Sequence, residues 1–171
     1  MIKKILTLIL LTISLSALPL DKTPKKIIIE GDNGGYVQDG SPWNSSSIKD
    51  KVYVMFYVDP DERTVNDEFS QVLKEKNYNK EKFGSIAVIN LAATWKPNII
   101  IEKLLQDKQE EFPETIYIKD KNSILVNEWG LQDDSSEIIL FSKDSKVIYY
   151  KSGKMSKNDI EQALQIIEEN R

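Results

Sequence analysis

Val52-Tyr53-Val54-Met55-Phe56-Tyr57-Val58, followed at once by Asp59-Pro60-Asp61-Glu62-Arg63, is the stretch that decides the fold. Seven consecutive apolar or aromatic residues leave no polar face, the pattern of a strand covered on both sides. A proline among acidic residues then stops the strand. From Thr64 onward Val65, Phe69, Val72 and Leu73 recur at helical spacing, with Thr64 in the N-cap place and Asp67 three residues later. Working downstream, residues 85–91 form a second apolar strand, and a helix follows whose stripe is Ile100, Ile101, Leu104 and Leu105. Strand, helix, strand, helix predicts a parallel pair joined by a right-handed crossover.

The C-terminal third continues the alternation. Residues 115–118 read as a third strand, and residues 124–129 fit either a strand or a short helix. Residues 138–141 and 147–150 flank the turn Ser142-Lys143-Asp144-Ser145-Lys146 as a hairpin, after which Gly153 permits a sharp exit. The last helix carries the stripe Ile160, Ala163, Leu164 and Ile167, and Ser156 with Asp159 makes a capping-box start. Upstream, Ile27-Ile28-Ile29, the turn signal Asp32-Asn33-Gly34-Gly35 and Tyr36-Val37 predict a small hairpin. Residues 39–50 are a polar connection with one apolar outlier, Trp43.

The first residues have the order of a secretory signal: Lys3-Lys4, an apolar stretch from Ile5 to Leu15, then Ser16-Ala17. Pro19, Asp21 and Lys22 close the apolar run too early for a membrane span, which needs about 20 residues. The expected organisation is a cleaved signal over 1–17, an N-terminal extension with a hairpin over 18–50, and one α/β domain over 51–171, placed in the periplasm without integral membrane association. The chain has 23 Lys and Arg against 27 Asp and Glu, a net charge of −4, with the two signs interspersed. No basic face offers itself to nucleic acid.

Neither histidine nor cysteine occurs in the 171 residues. Disulfides, thiol nucleophiles, His/Cys zinc sites and Ser-His-Asp triads are therefore excluded. No Gly-rich phosphate loop or dinucleotide fingerprint is present, so no cofactor is expected. Calcium has two weak oxygen-ligand runs, Asp59-x-Asp61-Glu62 and Asp120-x-Asn122 with Glu128, and neither fits an EF-hand loop. A carboxylate-pair hydrolase would set Asp59 or Asp61 against Asp133 or Asp134.

The closing order of strand, Lys-Asp turn, strand, Gly and Ser-capped helix resembles the second half of thioredoxin-like folds of the peroxiredoxin and thiol-reductase type. That resemblance implies a central mixed sheet flanked by helices. It puts residues 52–58 on the strand feeding the redox loop, Asp61-Glu62-Arg63-Thr64 where Cys-x-x-Cys would stand, and Ser136 at the usual cis-proline position. More narrowly, the chain is similar to the YtfJ-like family of bacterial periplasmic proteins. The residues carrying this are Trp43-Asn44-Ser45 followed by Lys51-Val52, Asn90, Trp129-x-Leu131, Ser135-Ser136 and Lys143-Asp144.

Without cysteine, the thioredoxin-like fold that the resemblance implies is redox-inactive, and the expected function is that of a binding or adaptor protein with a binding edge and no catalytic residue. Asp59, Asp61, Glu62, Arg63, Thr64, Trp129, Asp134, Ser135 and Ser136 are expected to meet there and hold a periplasmic protein or peptide. Such docking uses main-chain hydrogen bonds and needs no nucleophile. The bland counterpart is that Asp61 and Glu62 only complement a helix dipole and that Trp129 is core. A hydrolase and a structural or stress-related accessory are the alternatives.

Overall fold

In the computed structural model, which describes residues 18–171, the strand β4 (Val52–Val58) lies inside a six-stranded mixed sheet. The signal-like segment falls outside the described residues. Ahead of β4 come β1 (Ile28–Ile29), β2 (Gly34–Tyr36) and β3 (Trp43–Asn44). After it follow α1 (Asp67–Lys76), β5 (Phe83–Asn90), α2 (Asn98–Glu111), β6 (Thr115–Asp120), α3 (Ile124–Trp129), β7 (Ser136–Phe141), β8 (Val147–Ser152) and α4 (Lys157–Asn170). The sheet order is β2-β6-β5-β4-β7-β8. Strands β4, β5 and β6 are parallel, while β7, β8 and β2 join antiparallel.

Both faces of β4 are covered, as its unbroken apolar run requires. Val52 and Val54 meet Phe69 of α1 and Ile160, Ala163 and Ile167 of α4. Tyr53, Met55 and Tyr57 point the other way, onto Trp43, Leu125 and Trp129. The capping box of α4 forms: Ser156 accepts from the Asp159 N–H, and the Asp159 carboxylate accepts from the Ser156 N–H. Residues 124–129 are helical. The N-terminal segment supplies Leu18, Ile27, Ile29, Trp43 and Ile48 to the core and β2 to the sheet edge.

Three local expectations are corrected. Residues 27–37 do not form a hairpin: β1 pairs with β3 through Ile29 and Trp43, while β2 pairs with β6 in the register Gly34↔Asp120. Burying Ile29 and Trp43 against the sheet outweighs the local turn signal. Gly34 and Gly35 are instead needed in the strand, at φ +119 and +137, where a Cβ on Gly34 would lie 2.0 Å from the Lys119 carbonyl oxygen. Next, α1 begins at Asp67, not Thr64; the Thr64 carbonyl accepts from the Asp67 N–H in a preceding turn. Finally, only Ile101 and Leu105 of the α2 stripe are buried, because one sheet face covers one side of the helix; Ile100 and Leu104 face solvent.

Candidate functional site

At the C-terminal end of β4 three chain segments converge, the end of a parallel strand being where open α/β sheets place their sites. The Asp59 N–H donates to the Ser135 carbonyl at 3.0 Å, and Val58 pairs with Ser136. Asp59 is buried, and its carboxylate accepts from the Asp61 N–H at 2.8 Å, which fixes the loop. Asn66 ties the same loop to two others: its amide donates to the Ser136 hydroxyl at 3.0 Å and to the Gly153 carbonyl at 3.2 Å. Its oxygen accepts from the Met155 N–H.

A third segment enters from the end of β5. Asn90 is buried, donates to Asp133 at 2.8 Å and accepts from Ala92 N–H and the Ser123 hydroxyl. Beyond it, the Thr94 hydroxyl donates to Asp61 at 2.8 Å and Lys96 forms an ion pair with the same carboxylate. Thus Asp59, Asp61, Glu62, Asp134, Ser135 and Ser136 share one end of the molecule. Glu62, Arg63, Thr64 and Asp134 are exposed, and Arg63 reaches the Pro60 carbonyl at 3.4 Å.

Trp129 does not join them. It is 3 % exposed, donates to the Lys25 carbonyl at 2.7 Å, and packs 6.0 Å from the ring of Phe141. Phe141 pairs with Tyr53, near the start of β4, so Trp129 lies toward the opposite end of the strand from Asp59. The buried face of α3 carries it into the core. Two surface clefts also lie there, one lined by Thr23, Pro24, Ser45 and Trp129, the other by Leu18, Lys22 and Glu128 among others.

Beneath the converging loops sits buried acid. Glu137 is fully buried; one oxygen accepts from the Gln132 N–H at 2.7 Å and the Tyr150 hydroxyl at 3.0 Å, while the other has no partner. Burial pushes its carboxyl above the ordinary range. Asp59 is raised too, first by burial and then by Asp134, Glu62 and Asp133, with Lys96 opposing. Burial, followed by the negative Asp120, drives the Tyr57 hydroxyl far above its usual value. Both Asp120 oxygens are occupied by backbone N–H groups of Ile124 and Leu125, and by the Tyr57 hydroxyl. Among the described residues no group of three or more acidic side chains is placed to hold a metal ion.

A carboxyl raised in the folded state keeps its proton more tightly folded than unfolded. Its contribution to stability is complete below the unfolded pKa and is lost as pH rises through the folded one. Glu137→Gln keeps an acceptor for Gln132 and Tyr150 without a buried charge. We expect it to be more stable than the parent at pH 8, by on the order of 1 kcal/mol, and to lose that advantage near pH 4. Thermal denaturation at both pH values tests this, and an advantage independent of pH would count against it.

Sequence reasoning passed over Asn66, Thr94, Lys96 and Glu137 as site residues. Asn90 and Asp120 carried a usable signal, since each is a polar residue ending an apolar strand that is parallel to its neighbour. Glu137 gave none, standing as a single acid at the head of an apolar run.

Among solved structures the fold is similar to that of the pneumococcal exposed lipoprotein thioredoxin Etrx1 from Streptococcus pneumoniae, with a TM-score of 0.56, 15 % identity, and coverage of 83 % of this chain and 99 % of that one. It is also similar to a thiol-disulfide isomerase from Corynebacterium glutamicum, with a TM-score of 0.57, 14 % identity, and coverage of 82 % and 95 %. At such identities the likeness shows the thioredoxin-like fold alone. By sequence, an uncharacterized protein of Haemophilus influenzae is 28 % identical over 131 residues, 74 % of this chain and 70 % of that protein. The uncharacterized protein YtfJ of Escherichia coli K12 is 19 % identical over 146 residues, 84 % and 77 % of the respective chains. The model of a family described as bacterial protein of unknown function (YtfJ_HI0045) matches residues 25–170, and this cysteine-free, thioredoxin-fold chain belongs to that family.

Proposed function

We propose that this chain is an exported, redox-inert binding protein of the periplasm, which holds a protein or peptide partner on the end built by residues 59–64 and 134–136. The observation that carries the reading is the cross-tying of three loops at that end, through Asp59 to Ser135, Asn66 to Ser136 and Asn90 to Asp133, with exposed groups left on its rim. A pre-organised rim lowers the ordering cost of association, and it asks nothing of a thiol. The basic, apolar and small-residue order of residues 1–17 supports the address.

Photo-crosslinking in the native periplasm is the test, with probes at Glu62 and Ser135 and a control at the exposed Glu161 of α4. A discrete partner captured at both rim positions and missed by the control supports binding. Equal capture at all three, or none, overturns it.

A further inference from the structure

The two most exposed large apolar side chains among the described residues, Trp95 and Ile99, lie beside that rim, with two more on the helix that follows. Trp95 is 86 % exposed, Ile99 78 %, Ile100 53 % and Leu104 52 %. Trp95 stands between Thr94 and Lys96, both anchored on the Asp61 carboxylate, so its backbone is tied to the β4 loop. Ile100 and Leu104 follow one turn apart on α2 and extend the apolar surface away from the loop. Exposed apolar side chains gathered within ten residues of one another and flanked by charged loops mark an interaction site.

Charge selects its occupant. In the loops beside Trp95, Asp59 is buried and Asp61 is matched by Lys96, which leaves Glu62, Asp133 and Asp134 exposed against Arg63, three carboxylates against one cation. Lys96 is already paired with Asp61, and Arg63 reaches the Pro60 carbonyl. A second copy would bring like charge to like charge, in a chain whose net charge is −4. An anionic lipid surface would meet the same repulsion.

We infer that Trp95, Ile99, Ile100 and Leu104 form the apolar half, and Glu62, Asp133 and Asp134 the acidic half, of one docking surface for an extended polypeptide segment that carries apolar side chains beside lysine or arginine. This rests on the binding reading above and names its partner's chemistry. The apolar side chains dock on Trp95 and α2, and the cations meet the carboxylates of the loops.

The experiment titrates the full chain with three short synthetic peptides, alternating leucine with lysine, leucine with glutamate, and serine with lysine. Trp43 and Trp129 are buried, so a blue shift of tryptophan emission on binding reports Trp95. The leucine–lysine peptide is expected to shift the emission and to bind about tenfold or more tightly than the other two. Calorimetry on Trp95→Ser, and on Glu62→Gln with Asp134→Asn, is expected to show a loss of about tenfold or more, with circular dichroism unchanged.

Equal affinity for the leucine–lysine and leucine–glutamate peptides, unchanged binding by Trp95→Ser, or no binding of any peptide overturns the inference. Rim crosslinks at Ser135 that persist in the Trp95→Ser protein would then leave the binding reading standing. Failure of those crosslinks in the parent protein removes the binding reading itself.

Discussion

Gly34→Ala is expected to lower stability by about 3–5 kcal/mol, a large share of the roughly 5–15 kcal/mol typical of a domain. Two costs combine. At φ +119 a side chain strains the backbone, which alone costs about 1–3 kcal/mol. The added Cβ would also lie 2.0 Å from the Lys119 carbonyl oxygen and 2.8 Å from its carbon, both backbone atoms of β6 that cannot turn aside. The strands must separate, and β2 loses its ladder with Ile118 to Asp120. Gly40→Ala is the control, because φ there is +71 but no atom lies within 4 Å of the new Cβ. Thermal denaturation should show a drop of roughly 10 °C for Gly34→Ala and a much smaller one for Gly40→Ala. Similar drops in the two variants would mean that the close approach of β2 to β6 is not what the glycine serves.

Asp120→Ala is expected to cost about 3–5 kcal/mol, for a different reason. The carboxylate is fully buried and accepts from Ile124 N–H at 2.8 Å, Leu125 N–H at 3.0 Å and the Tyr57 hydroxyl at 3.3 Å. Ser123, ahead of α3, has no side-chain hydrogen bond to the helix, so Asp120 stands in as its acceptor from the end of β6. Removing it strands two helix N–H groups and a hydroxyl in the core. Asp120→Asn retains one acceptor oxygen and should fall between the parent and Asp120→Ala in urea denaturation. A loss below about 1 kcal/mol for the alanine variant would show that water or a shift of α3 replaces the carboxylate.

How much of this was legible in the sequence depended on whether the signal was periodic. The run 52–58 announced a doubly covered strand because every position in it is apolar, and the Ser156–Asp159 box announced α4 because both partners lie within one turn. Gly34-Gly35 misled because a glycine pair after Asp-Asn has the composition of a hairpin turn. Only the approach of β6, from more than 80 residues away, shows why glycine is required. The α2 stripe is wider in sequence than in the fold: Ile100 and Leu104 keep helical spacing with Ile101 and Leu105, yet the sheet covers only one pair.

For the site, the meeting of the Asp59 loop with Ser135 and Ser136 follows from the thioredoxin-like resemblance, which sets that loop and Ser136 at adjoining places in the fold. Trp129 could not be placed, since an aromatic at a helix end serves core and edge equally well by sequence. Trp95, a lone tryptophan between Thr94 and Lys96, belongs to no sequence pattern. Its exposure becomes visible only once α2 is docked with Ile101 and Leu105 inward.

The pairing of β2 with β6 also sets a schedule. A chain that emerges N-terminus first, from a ribosome or through a translocation pore, holds residues 34–36 for the whole time needed to deliver residues 118–120 before that edge can close. The N-terminal segment buries Ile29 and Trp43 in a core that includes Phe141 and Val147. Vectorial folding therefore cannot begin at the leading end. Loop closure over such separations is slow, and the early part of the chain stays available to chaperones until most of the protein has arrived.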